Sequence, residues 1–92
     1  MTNLRREARG RGCQIRLPDI CNHNSETVVL AHVRQIGISG FGIKSMDILG
    51  TWACSACHAY CDSHHDDATS AAFAEGVYRT IAQLCREEVV KW

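Results

Sequence analysis

Ala53-Cys54-Ser55-Ala56-Cys57-His58-Ala59-Tyr60-Cys61-Asp62-Ser63-His64-His65 places three thiols, three imidazoles and a carboxylate within thirteen residues. Cys-x-x-Cys followed at once by His is a metal-site spacing, because two thiolates separated by two residues can chelate one ion. Read as a helix from Cys54, the stretch gathers Cys54, Cys57, His58, Cys61, Asp62 and His65 within about a 140° arc at 100° per residue. One part of that arc can help to close a structural zinc site. His58 and Asp62, at i and i+4, can hold a second ion beside a substrate.

The remaining thiols extend the first of these sites. Cys13 and Cys21 have seven residues between them and each flanks a turn-like segment. With Cys54 and Cys57 they form a four-cysteine set split between distant halves, which would tie the N-terminal loop onto the central helix. Cys61 is a possible substitute for one of the four, and Cys85 lies on an apolar helix stripe as a core residue. No apolar run near the N-terminus is long enough for a signal peptide or a membrane span, so the expectation is a cytoplasmic chain. In that compartment a Cys-x-x-Cys pair holds metal more often than it forms a disulfide. A thiol redox role fits less well, since no βαβ pattern surrounds the pair and Cys13 and Cys21 would go unused.

Ninety-two residues make one small domain over 1–92, short enough to need a staple. Net charge is zero but unevenly spread. Arg5, Arg6, Arg9, Arg11 and Arg16 face a single carboxylate, Glu7, in the first sixteen residues, whereas the remainder is acidic. Such an arm suits phosphate contact, with a solvated helix end as the plainer reading.

The elements read as follows. Residues 3–9 suit a short helix ended by Gly10 and Gly12. Residues 13–17 alternate as a short strand stopped at Pro18. Residues 19–25 are turn-rich. Thr27–Val33 is the clearest strand, ending near His32. The glycine-containing segment 35–45 reads as a loop in which Lys44 can reach a phosphate. Residues 49–53 suit a second strand before the cysteine helix. Asp67, Thr69 or Ser70 can cap a last amphipathic helix over 70–90, with Phe73, Val77, Ile81, Leu84 or Cys85, and Val89 facing the core. Tyr78 reads as a packing residue. The fold class is α+β, a small zinc-stapled unit with a short N-terminal and a long C-terminal helix.

A strand ending in His32, then a loop, then Cys54-Ser55-Ala56-Cys57-His58 on a helix resembles the ββα-metal (His-Me) finger of HNH endonucleases. Asp47-Ile48-Leu49 stands at the middle of that pattern. The whole chain resembles the small prophage-encoded YbcO-like nucleases, through Arg9-Gly10-Arg11, Cys13-Gln14-Ile15-Arg16, Cys21-Asn22, Leu30-Ala31-His32, Ala53–His58 and Asp62. The resemblance implies metal-dependent hydrolysis of DNA phosphodiester bonds. His32 would be the general base, and Asp47 would stand in place of the middle asparagine. Cys13, Cys21, Cys54 and Cys57 would hold structural zinc. His58 and Asp62 would hold a catalytic cation such as Mg²⁺, Mn²⁺ or Ni²⁺. Arg9, Arg11, Arg16, Arg34 and Lys44 would contact the DNA backbone. Ala31 occupies a position where the HNH pattern usually has a metal ligand, and Asp47 lies further from Cys54 than is usual. A small nuclease often pairs with itself to cut both strands, so a homodimer is an expectation, with no dimer face legible in the sequence. The alternative is a non-catalytic zinc-stapled DNA- or protein-binding module, in which His32 is only a buried hydrogen-bonder.

Overall fold

The computed structural model describes residues 3–33 and 46–91. Arg34, Lys44 and the loop read over 35–45 lie outside the described residues. Five elements follow in order: α1 (Leu4–Glu7), β1 (Val29–His32), β2 (Gly50–Ala53), α2 (Ser55–Ser63) and α3 (Asp67–Arg86), with a 3₁₀ turn over Ser25–Thr27 before β1. The architecture is α+β, a two-stranded sheet covered by helices.

β1 and β2 pair antiparallel, Val29 opposite Ala53, Leu30 opposite Trp52, Ala31 opposite Thr51 and His32 opposite Gly50. β1 is partly exposed, whereas every residue of β2 is buried. The asymmetry follows from what lies on each side of β2. α3 packs across the strand, and the Gln14 N–H donates to the Trp52 carbonyl at 2.7 Å on the edge away from β1. That bond is all that the described structure makes of the strand expected over 13–17. Arg16 adopts φ 56°, in the left-handed region, and the extended run stops there. The segment is a loop with one ladder-like bond, not a strand.

The helix ends also differ from the sequence reading, for reasons of capping. Asn3 accepts from the Arg5 and Arg6 N–H groups and starts α1. Cys54 caps α2, which ends at Ser63, so His65 falls outside the helix. Asp66, not Asp67, Thr69 or Ser70, caps α3, its Oδ1 accepting from the Thr69 N–H at 2.8 Å. α3 then ends at Arg86, and Val89 packs on the core from beyond the helix.

The core comprises Ala8, Ile15, Val28, Ala31, Trp52, Ala53, Cys54, Cys57 and Leu84. The buried face of α3 includes Val77 and Leu84 as expected, but also Thr69, Gly76 and Thr80. Thr80 Oγ1 accepts from the Trp52 N–H at 3.1 Å and lies 3.4 Å from Thr51 Oγ1. Its hydroxyl therefore satisfies a backbone donor that the two-stranded ladder leaves without a partner. Gly76 permits this approach, because a Cβ there would sit 2.6 Å from Thr51 Oγ1 and 3.3 Å from the Gln14 carbonyl carbon.

Gly76→Ala therefore reverses the usual helix preference. In an open helix the change stabilises by roughly 1 kcal/mol. Here the overpacking should outweigh that gain and destabilise by about 1–3 kcal/mol, read as a lowered midpoint in urea unfolding. An unchanged or raised midpoint would show that α3 can move away from β2 freely.

Candidate metal centre and candidate active site

Cys54 ends the β2–α2 connection and caps the helix, its Sγ accepting from the Cys57 N–H at 3.3 Å. One turn on, Cys57 points to the same side. The loop after Leu17 brings Cys21 to them, and the segment before Gln14 brings Cys13. All four sulfurs lie within 4.8 Å of one another. Cys54 and Cys21 are 3.8 Å apart, Sγ to Sγ. A tetrahedral zinc with Zn–S bonds of about 2.3 Å requires sulfur separations of about 3.8 Å, so the donors fit the ion. The loop is fixed from its other side as well. Asn22 Nδ2 donates to Ser55 Oγ at 3.0 Å, and the Ser55 N–H donates to Thr27 Oγ1 at 3.2 Å.

The electrostatics suit the same ion. Burial pushes the Cys54 thiol up, but backbone N–H groups at Cys57 and Asn22 outweigh it and bring the thiol to about 7. Burial pushes Cys21 and Cys57 up, and the neighbouring Cys13 sulfur adds to the effect. One thiolate is thus favoured, and further ionisation in so small a space calls for a cation. Cys61 lies outside the cluster, and burial pushes its thiol up.

His32, at the end of β1, meets Asp47 across fifteen residues, with Nε2 and Oδ1 2.7 Å apart. The same Asp47 oxygen accepts from Arg5 Nε at 3.3 Å. The His32 hydrogen bond holds the Asp47 carboxyl below its ordinary range; burial opposes this, and Arg5 assists it. In the sequence Arg5 stands only as one member of the basic arm, because nothing in a short arginine-rich helix marks which member reaches Asp47.

His32 also lines a cavity of about 150 Å³, together with Cys61, Asp62, His64, Ser70 and Phe73. His64 stacks on Tyr60 with centroids 3.8 Å apart and rings 5° from parallel. On α2, His58 Nε2 and Asp62 Oδ2 are 3.7 Å apart. Among the described residues, the four cysteines are the one group of three or more Cys, His, Asp or Glu residues that converges as a metal site. His58 and Asp62 therefore offer two donors and not a closed cage.

The basic arm divides. Arg11 lies 4.6 Å above the Trp52 ring, and its guanidinium donates to Glu87 at 2.6 Å and to Glu7 at 3.1 Å. Arg9 and Arg16 are exposed.

The cluster predicts one zinc per chain and a fold that depends on it. Cys54→Ser should lose the zinc and the cooperative melt, and chelation should do the same to the unmodified chain. Cys61→Ser should keep both. Zinc content by elemental analysis beside circular-dichroism melting distinguishes the two, and a zinc-free Cys54→Ser protein with an unchanged melt would refute the dependence.

A family described as "Putative nuclease YbcO" matches residues 2–89. "Putative nuclease YbcO" of Escherichia coli (strain K12) is 47% identical, with 99% of each chain covered. "Putative nuclease ybcO" of Enterobacteria phage 82 matches to the same extent. A solved structure of "a putative bacteriophage protein" from Escherichia coli K-12 aligns with a TM-score of 0.77 at 42% identity, covering 94% of this chain and all of the other. The matched residues and the 47% identity show that the chain belongs to the family described as "Putative nuclease YbcO".

Proposed function

We propose that the chain is a metal-dependent DNA endonuclease of HNH type that hydrolyses phosphodiester bonds, with His32 as general base. The observation that carries this reading is the 2.7 Å contact between His32 Nε2 and Asp47 Oδ1. An ionised Asp47 accepts a hydrogen bond from Nε2–H, which holds the tautomer whose Nδ1 lone pair can take a proton from water. When the imidazole becomes cationic, the adjacent carboxylate stabilises it, as in other His–Asp pairs. Arg5 helps to keep Asp47 in the charged form that this role needs. The order β1, β2, α2, with His32 at a strand end and His58 and Asp62 on the following helix, matches the arrangement of a ββα-metal finger.

The zinc on the four cysteines would be structural, since its four ligands close the coordination shell. The catalytic cation has a different position. His58 and Asp62 supply two donors, and hard cations commonly take the remainder from water and substrate phosphate. Such an ion would supply Lewis acidity at the phosphate. Exposed Arg9 and Arg16 would hold the backbone without reading sequence, whereas Arg11, engaged with Glu87 and Glu7, serves the fold.

Nicking of supercoiled plasmid tests the proposal. Cutting should appear on addition of Mg²⁺, Mn²⁺ or Ni²⁺ and should fall at least about a hundredfold in His32→Ala, with zinc content retained. Asp47→Asn should lose less, because the imidazole remains. Undiminished cutting by zinc-loaded His32→Ala would remove His32 from the reaction. Failure of the unmodified chain to cut with any of the ions would leave the non-catalytic zinc-stapled binding module.

A further inference from the structure

A second concavity lies along the C-terminal half of α3, where the loop around Arg16 meets the helix. This groove of about 620 Å³ is lined by Arg16, Trp52, Tyr78, Arg79, Gln83 and Arg86, among others. It is not part of the His32 cavity. At 100° and 1.5 Å per residue, the α3 residues of the two sites centre on roughly opposite faces, about 15 Å apart along the axis.

Three features of the groove point to a ligand. The first is charge. Arg11 and Arg79 are paired with carboxylates, Arg79 with Glu75 at 3.2 Å. Arg16 and Arg86 have neutral partners. Arg16 donates to the Cys13 carbonyl and Gln14 Oε1, each at 3.2 Å, and Arg86 to Gln83 Oε1 at 3.4 Å. Among the described residues neither meets a carboxylate, so both cations are available to an anion. The second is Tyr78, which is 69% exposed despite its aromatic ring. The sequence reading made it a packing residue; it instead lines the groove together with Arg16 and Arg86. The third is Trp52, 2% exposed, which contributes to the groove lining and whose Nε1–H has no hydrogen-bond partner among the described residues.

We infer that this groove binds a single-stranded segment of DNA, with Arg16 and Arg86 on phosphates and Tyr78 stacked on an unpaired base. The polymer is taken from the nuclease reading, and the choice of single strand comes from Tyr78. A projecting phenol ring can stack only on a base whose face is free, and a duplex offers its faces to neighbouring bases. Guanidinium groups flanking an exposed ring are the usual components of such sites. A substrate with both duplex and unpaired parts could then engage the two faces of α3 together.

The test uses zinc-loaded full-length chain without added Mg²⁺, and fluorescence anisotropy of labelled oligothymidine, alone and annealed to oligodeoxyadenosine. Tyr78→Ala should weaken binding of the single strand by roughly five- to a hundredfold, while the duplex changes less than about twofold. Tyr78→Phe should restore single-strand affinity, since the ring and not the hydroxyl stacks. Arg86→Gln should weaken single-strand binding and make its salt dependence shallower by about 0.7 in the log–log slope. Tyr78 is exposed, so its variants should melt as the unmodified chain does. Single-strand affinity unchanged in Tyr78→Ala, or an equal loss on both probes, would overturn the inference. Neither outcome depends on cleavage, so failure of the groove and failure of the nuclease reading are separately visible.

Discussion

Four sulfurs within 4.8 Å of one another are the constraint on which the rest of this structure depends. They join a loop near the N-terminus to the point where β2 becomes α2. Without a cation, the arrangement gathers buried thiols whose ionisation is mutually opposed, as the raised Cys21 and Cys57 thiols indicate. With one, the loop is closed and the start of α2 is fixed. Fixing that start also orients His58 and Asp62 one and two turns further on, since a helix transmits the direction of its first residues to its later ones. The candidate chemistry thus sits on an element whose placement comes from the thiol cluster.

β2 is the second dependency. It is four residues long and buried throughout, an unusual condition for one strand of a two-stranded sheet. Its free edge is occupied by the Gln14 N–H and the Thr80 hydroxyl, and its face by the Gly76 backbone. A loop and a helix side chain serve in place of a third strand. This allows two four-residue strands to carry His32 at the end of β1, opposite the buried Gly50.

The sequence made some of this legible, and physical reasons separate those parts from the others. Cys54 and Cys57 are readable because chelation imposes a local spacing. β1 is readable from its β-branched residues and α3 from apolar residues at steps of three or four, whereas β2, buried at every position, carries no period and is readable only as the apolar lead into the cysteine helix. The pairing of Cys13 and Cys21 with them was accessible by counting thiols, since a four-ligand ion needs a complete set. Asp47 was named, but its contact with His32 was not, because a partner fifteen residues distant across a loop leaves no periodic trace. The buried face of α3 was misjudged in part for the opposite reason. Gly76 and Thr80 carry no apolar signal, yet close approach and an orphaned N–H select them. Arg16 broke the expected strand through a backbone conformation that alternation cannot reveal.

The basic arm shows why charge read along a chain differs from charge presented by a fold. Five arginines in the first sixteen residues suggest one phosphate-binding surface. The structure divides them by what lies opposite each one. Arg11 covers Trp52 and is neutralised by Glu87 and Glu7, so it seals the core near the end of α3. Arg5 reaches Asp47, the residue beside His32, and so α1 completes a site built otherwise from β1 and the chain before β2. Arg16 faces the groove on α3 with neutral partners. A guanidinium meeting a carboxylate contributes to structure or to the state of that carboxylate, and one meeting only neutral acceptors keeps its charge for an anion from outside. Function along this arm is therefore decided by the positions of Glu87 and Asp47 as much as by the arginines themselves.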